Sequence, residues 1–399
     1  MKRSSSRLET KVVRFFDKIC HQLSGLAAFE LRLPSLPVRQ FGEGVPVFAI
    51  TVNNQKGLSA ITTRDEAAIA EAYVAGDLDL EGDLPAMYSL RNALTDRHPL
   101  WQLWWVRLQP LLFGQVNRDK KWIAHHYDWD QEFYLLFLDS RHRCYSQAVF
   151  QSEDESLEEG MTRKLQFALE SCQASPGQRI LDIGGGWGAF TEHAGRQGMR
   201  VTSLTISQES QKFMERLIEE QKLPCKVLLE HFYEHQSDQP YDAIVNLGVT
   251  EHLPDYRRTL EHCHRLLKPG GRLYLDASAA REKFSFSSFI YRHIYPGNPT
   301  PMCMAEYVAE IERSPFELLA LHNDRLNYER TARCWAENLE RARATIVDRW
   351  GVELYRKFRL YIWGTVHAFA TNLMSAYRLV LENPACEADL RRWVRRSQC

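Results

Sequence analysis

Two stretches of this chain put reactive side chains where folded chains tend to hold ligands. In GGRLYLDASAA, residues 270–280, the carboxylate Asp276 stands where an apolar strand is expected to end. An acid there is a solvated loop residue, a helix cap or a catalytic group, and only its surroundings decide between them. In LDIGGGWGAF, residues 181–190, Asp182 closes a strand and Gly184, Gly186 and Gly188 fill the turn before a helix. Glycines suit such a turn because they tolerate left-handed backbone angles and let a ligand approach the main chain without a Cβ in the way. The spacing is G-x-G-x-G rather than G-x-G-x-x-G, which argues against the dinucleotide fingerprint and for a ligand without a pyrophosphate. Asp182 then suits the amino group or sulfonium end of an amino-acid-bearing cofactor, through a charge-assisted hydrogen bond. A tight strand–helix turn with no ligand is the plainer alternative.

The elements that must position these residues begin near residue 160, where short apolar runs alternate with helical segments. RILDIGGG, RVTSLTIS, KVLLEHF, YDAIVNLG and GRLYLDAS are strand candidates, separated by helical stretches such as LEEGMTRKLQFALESCQ and DYRRTLEHCHRLL. That alternation predicts an α/β fold with a doubly wound, mostly parallel sheet. Ahead of it a small α+β module is expected: helical spacing across residues 11–32, a break at LPSLPV, and a strand–turn–strand over PVFAITVNNQKGLSAITT with NNQKG as the turn. A helix ending near Gly76 then runs into an acidic loop. The expected division is residues 1–110 for the module and 111–399 for the sheet domain. HPLWQLWWVRLQPLLFGQV, with three Trp, reads as a core helix or an interfacial one. The basic tail ADLRRWVRRSQC reads as a solvated stretch or a foot on a membrane surface.

Lys plus Arg number 50 against 51 acids, so no global charge draws the chain to nucleic acid. The nine cysteines are odd in number, scattered and without a C-x-x-C, which indicates neither a disulfide framework nor a zinc site. Reduced thiols in a cytoplasmic protein are expected, peripheral at most on the inner membrane face, since no apolar run approaches the roughly 20 residues of a spanning helix.

YDAIVNLGVTEHLPDYRRTL and LLKPGGRLYL, taken with the glycine loop, resemble the Rossmann-like class I methyltransferase core that binds S-adenosylmethionine. HHYDWDQEFYLLFLDSRHRCYSQAVF and SLEEGMTRKL narrow the resemblance to the cyclopropane fatty acid synthase family, which includes mycolic acid methyltransferases. YPGNPTP, NYERTARCW, YRKFRLYIWGTVHAF and the early IAEAYVAGDLDLEGDL are similar to that family's segments in the same order, so the resemblance spans nearly the whole chain. It implies transfer of the cofactor's methyl group to the double bond of an unsaturated phospholipid or fatty acyl chain, leaving a carbocation that loses a proton to close a cyclopropane. It also implies a lipid-binding-like N-terminal domain and substrate-covering helices in the methyltransferase domain. By the resemblance, Tyr145, Ser146, Thr205 and Ser207 contact the cofactor, and His231 and Phe232 lie at the adenine-side loop, where the aromatic suits stacking. The family's Gln three residues beyond that second serine is Ser210 here. Glu251 matches the active-site glutamate, although an acid there also suits a helix dipole. Tyr328 matches a tyrosine whose face lies near the cation, and is otherwise a core tyrosine.

The chain departs from the family at one place. Where the family holds a bicarbonate ion with a Cys and a His, this sequence has Gln147 and Asp276; Ser278 replaces an Ile and Thr365 a late Cys. An ionised Asp276 near Glu251 repels a bicarbonate anion, so bicarbonate is doubtful as a cofactor. The expectation is that an enzyme carboxylate resolves the cation, Asp276 serving as a built-in base hydrogen-bonded by Gln147, or that a methyl or methylene branch forms instead. A conventional bicarbonate-dependent synthase and a non-catalytic lipid-binding relative are the alternatives. Peripheral membrane contact is expected of a lipid enzyme, and a homodimer through the N-terminal module is left open.

Overall fold

The computed structural model describes residues 2–23, 25–96, 131–295 and 299–385, without the side chains of residues 2–6. The Trp-rich stretch and the basic tail lie outside the described residues, as does the centre of YPGNPTP. The chain divides into two compact units, the first drawing its described residues from the first 96, from Ser287–Ile294 and from Leu339–His367.

In the first unit, α1 (Lys2–Gln22) buries Val12, Phe15, Phe16 and Ile19, the i, i+3, i+4 stripe of an amphipathic helix. It covers a sheet of β1 (Phe29–Arg32), β2 (Arg39–Phe41), β3 (Phe48–Val52) and β4 (Leu78–Gly82), in the order β2-β1-β3-β4. Phe29 stacks between Phe41 and Phe48 with ring centroids 5.2 and 4.9 Å apart. Three expectations are corrected here. The helical spacing ends at Gln22, and Phe29–Arg32 is a strand. NNQKG opens a helix rather than a hairpin turn: Asn54 caps α2 (Gln55–Thr63) by accepting from the Lys56 and Gly57 amides, and Leu58 and Ile61 are buried on one face. The acidic loop is β4, an edge strand antiparallel to β3 that alternates acids with Leu78 and Leu80. The helix ahead of it, α3 (Glu66–Val74), stops before Gly76, whose φ of 80° is the left-handed region a helix cannot continue through.

The second unit is built on a sheet in the order β11-β12-β9-β8-β5-β6-β7. β5 (Arg179–Ile183), β6 (Arg200–Thr205), β7 (Lys226–Leu229), β8 (Tyr241–Leu247) and β9 (Leu267–Ala280) are parallel, and each falls on one of the five strand candidates. β10 (Met302–Cys303) pairs the end of β9, and β11 (Glu317–Asn323) and β12 (Ser375–Glu382) extend the sheet antiparallel. Five helices matter for the site: α4 (Leu157–Ser171), α5 (Ala189–Arg196), α6 (Gln208–Gln221), α7 (Tyr256–Leu266) and α8 (Arg325–Arg341). The order reverses between β5, which leads to β6 and β7, and β8, which leads to β9. Ligands of open α/β sheets bind at the carboxyl ends of strands flanking such a reversal.

Asp276 is not at a strand end. β9 runs four residues past it because β12 pairs it out to Ala279 and β10 out to Ala280. Asp276 lies beside Leu247, the last residue of β8, so it is level with the carboxyl edge of the neighbouring strand and fully buried. No helix among the described residues is long and apolar enough to cross a membrane.

Candidate active site

The glycine loop follows β5 directly. Gly184, Gly186 and Gly188 have φ of 75°, 53° and 76°, angles that disfavour other residues. A Cβ on Gly184 would meet Val249 Cγ2 at 2.4 Å and one on Gly188 would meet Leu217 Cδ2 at 2.9 Å, so these two are small for packing. Gly186 differs: a Cβ there has no described neighbour nearer than 4.0 Å, which leaves open space above the loop at the carboxyl edge of β5. Asp182 is buried, accepting from Ser203 Oγ at 2.6 Å and Thr191 Oγ1 at 3.1 Å. Burial lifts its pKa to about 6 against the pull of those two hydroxyls. It clasps β5 to β6 and α5. Ser207 caps α6 by accepting from the Ser210 amide, and Thr205 Oγ1 accepts from the Ser207 amide. Ser210, where the family carries Gln, donates its hydroxyl to the Gly186 carbonyl and so braces the loop.

A second loop, residues 139–148, closes in from the chain ahead of α4. Buried Asp139 accepts from the His142 amide at 2.5 Å and the Cys144 amide at 2.8 Å, winding a tight turn in which Arg143 takes φ 59°. Arg143 pairs with Glu192 of α5 and donates to the Trp187 carbonyl at 3.3 Å, which ties this loop to the glycine loop. From the other side α8 pins it: Thr331 Oγ1 accepts from the Ala148 amide at 2.9 Å, and Asn327 Oδ1 from the Phe150 amide at 3.0 Å. Trp335 sets its ring 5.4 Å from Tyr145 and 6.2 Å from Tyr328. Tyr328, Thr331 and Trp335 are spaced i, i+3, i+7 along one helix face, and that spacing is what the NYERTARCW segment encodes.

Between these loops lies a buried ionic cluster. Lys164, fully buried on α4, places Nζ 3.2 Å from Asp276 Oδ2 and 3.3 Å from Cys144 Sγ, and donates to Ser146 Oγ. Burial works against the Lys164 charge, but the Asp276 carboxylate and the Cys144 sulfur outweigh it and raise its pKa. Burial raises the Asp276 pKa, with Lys164 pulling it back. Arg378, paired with Asp276 across β12 and β9, forms its own two-pronged ion pair with buried Asp324. Glu251 sits in the turn after β8, its Oε1 accepting from the Ser278 amide at 2.7 Å and the Ser278 hydroxyl at 2.8 Å. Its Oε2 is buried with no hydrogen-bond partner among the described residues. Burial first, with a smaller push from the Asp276 charge, lifts the Glu251 pKa to about 7.

The expected hydrogen bond between Gln147 and Asp276 is corrected. Both amide atoms of Gln147 are buried without a partner, and the group facing Asp276 is Lys164. Phe232 is buried edge-on to His262 at 4.8 Å, a packed ring, while the His231 side chain accepts from the Tyr233 amide and caps the turn. Tyr328 meets Phe369 at 4.3 Å. Lys164 was not singled out in the sequence, yet it had a signal: it is the one cation on the stripe Leu157, Met161, Lys164, Leu165, Ala168, where fully buried lysines are rare unless paired.

The match to a known family falls on the stretch that builds this site. A family model described as mycolic acid cyclopropane synthetase matches residues 115–379. The chain belongs to the mycolic acid cyclopropane synthetase family. It is a methyltransferase of the class that uses S-adenosylmethionine, and the opening over Gly186 with the braced glycine loop fits such a cofactor. A probable fatty acid methyltransferase of Mycobacterium tuberculosis is 26% identical over 380 residues, covering 85% of this chain and 88% of that protein. Cyclopropane mycolic acid synthase 3 of the same organism is 30% identical over 298 residues, covering 69% of this chain and 99% of that protein. The solved structure of the cyclopropane synthase MmaA2 from Mycobacterium tuberculosis superposes with a TM-score of 0.62 at 26% identity, covering 66% of this chain and 98% of that one. The matched stretch takes in most of the second unit together with Ser287–Ile294 and Leu339–His367 of the first, and the fold agrees with the α/β sheet expected from the sequence.

Proposed function

We propose that this synthetase-family chain methylates the double bond of an unsaturated lipid acyl chain and that an enzyme carboxylate, rather than bicarbonate, resolves the resulting charge. When bound, S-adenosylmethionine supplies an electrophilic methyl group, and a double bond that takes it up is left as a carbocation on the acyl chain. Gly184, Gly186 and Gly188 with Tyr145, Ser146, Thr205 and Ser207 are the residues assigned to hold the cofactor, Asp182 stiffening the strand beneath it. Phe232 is assigned to the wall of that site. Tyr328, beside Trp335 on α8, is assigned to the cation.

The proton acceptor is Glu251. One of its oxygens is fixed by Ser278, the other is bare, and a pKa of about 7 matches a base working near neutrality. Asp276, held by Lys164, supplies fixed negative charge beside it, and Gln147 offers an unpaired amide. The observation that carries the reading is the charge balance. Lys164 is matched by Asp276 and Arg378 by Asp324, so among these groups no cation is left to receive an added anion. The second unit carries this chemistry; the N-terminal unit, to about residue 110, is assigned to the lipid, with the protein working at a membrane surface.

Mass spectrometry of lipids from cells expressing the chain tests the reading. A gain equal to one methylene group on unsaturated acyl chains, absent with Glu251→Gln, supports it. Unchanged lipids alongside intact cofactor binding would favour a non-catalytic lipid-binding relative.

A further inference from the structure

We propose that Lys164 is a positioning residue for this reaction: its buried ammonium joins Ser146 to Asp276 and fixes the charge that the pocket presents to the reacting chain. The inference rests on the proposed reading of the site. Lys164 is wholly buried on the apolar stripe of α4, where a leucine would continue the packing with no charge to desolvate. Its Nζ instead meets three groups from two other elements: Ser146 and Cys144 of the 139–148 loop, and Asp276 of β9.

Each contact has a consequence. Because Lys164 donates to Ser146 Oγ, the serine's own hydroxyl proton is turned away from the ammonium, towards Cys144 Sγ at 3.8 Å or another acceptor. Lys164 lies on Asp276 Oδ2, and Oδ1 has no hydrogen-bond partner among the described residues. The same ammonium thereby orients the loop assigned to the cofactor and the carboxylate assigned to supply fixed charge beside Glu251. Geometry of this kind, misplaced by about 1 Å, costs on the order of 100-fold in rate.

The test uses the full-length protein, with phospholipid vesicles carrying unsaturated acyl chains as substrate and S-adenosylhomocysteine as the binding probe. Lys164→Ala is expected to lower kcat by about 100-fold while the affinity for the probe changes by no more than a few-fold. Added ethylammonium is expected to restore kcat several-fold, and propanol, of similar size and uncharged, is expected not to. Should Lys164→Ala fail to fold, Lys164→Gln tests the same loss of charge at similar length, with the same fall in kcat expected. A folded variant with wild-type kcat, or rescue by propanol equal to that by ethylammonium, overturns the assignment. Wild-type protein that binds the probe but leaves the vesicle lipids unmethylated overturns the underlying reading instead.

Discussion

Ser278 holds Glu251 by one oxygen only: its amide and its hydroxyl both donate to Oε1, at 2.7 and 2.8 Å, while Oε2 stays bare and buried. The two residues stand on different elements, Ser278 near the end of β9 and Glu251 in the turn after β8. A carboxylate gripped in this way has a fixed direction and one oxygen left to take a proton.

The pH dependence follows from that grip. Glu251 must be ionised to accept a proton, and burial has raised its pKa to about 7, so kcat should rise as pH increases through about 7. Ser278→Ala removes a donor that favours the ionised form, so the pKa rises further and the rising limb moves to higher pH. Glu251→Gln should lower the rate by about 10² to 10⁴-fold at every pH. These are read from pH–rate profiles of the three proteins.

Gly184 and Gly186 should separate packing from ligand space. Gly184→Ala forces a Cβ into Val249 and is expected to lower the thermal midpoint. Gly186→Ala brings its Cβ no nearer than 4.0 Å to any described atom, so the fold should lose only the roughly 1–2 kcal/mol of holding a side chain in the left-handed region, while S-adenosylhomocysteine affinity drops at least about tenfold. Calorimetric unfolding and binding titrations on the same preparations distinguish the two.

Much of this arrangement was legible in the chain, and the exceptions share a cause. The five parallel strands declared themselves because each is a short apolar run followed by a helical stretch, and the glycine loop because its spacing is local. The stretch after Asn54 reads as a strand because two threonines and an isoleucine suit either element; the Asn54 cap, a local signal, decides for helix. What sequence spacing does not carry is partnership across elements. Lys164 and Asp276 are 112 residues apart, and nothing near either one says that they meet. The sequence marks Asp276 as a departure from its family and suggests Gln147, next to Tyr145 and Ser146, as its partner, whereas the partner comes from α4.

The pair of Arg378 and Asp324 should be a stability element. Both are buried, and removing one partner strands the other's charge, so Asp324→Asn is expected to cost about 3–5 kcal/mol, read as a lower denaturation midpoint with an unchanged slope. The Asn327 amide donates to Asp324 Oδ1 at 3.0 Å, so after the change it competes with Arg378 for the one acceptor oxygen that remains, and the anchor of Asn327 on the Phe150 amide would loosen.

Thr331 offers a milder probe of the loop that carries Tyr145, Ser146 and Gln147. Thr331→Val keeps the shape but removes the acceptor of the buried Ala148 amide, a loss of about 1–3 kcal/mol. S-adenosylhomocysteine binding should weaken along with stability, because the same bond holds the loop against α8.

The central claim is that the charge left on the acyl chain is resolved by the protein's own carboxylate. The most direct measurement is the initial rate of methyl transfer to vesicles of unsaturated phospholipid, in buffer scrubbed of carbon dioxide and again with bicarbonate added back. A rate that is the same in both, and that Glu251→Gln abolishes, is the predicted result. A rate that falls away without bicarbonate and returns in proportion to its concentration would contradict the account.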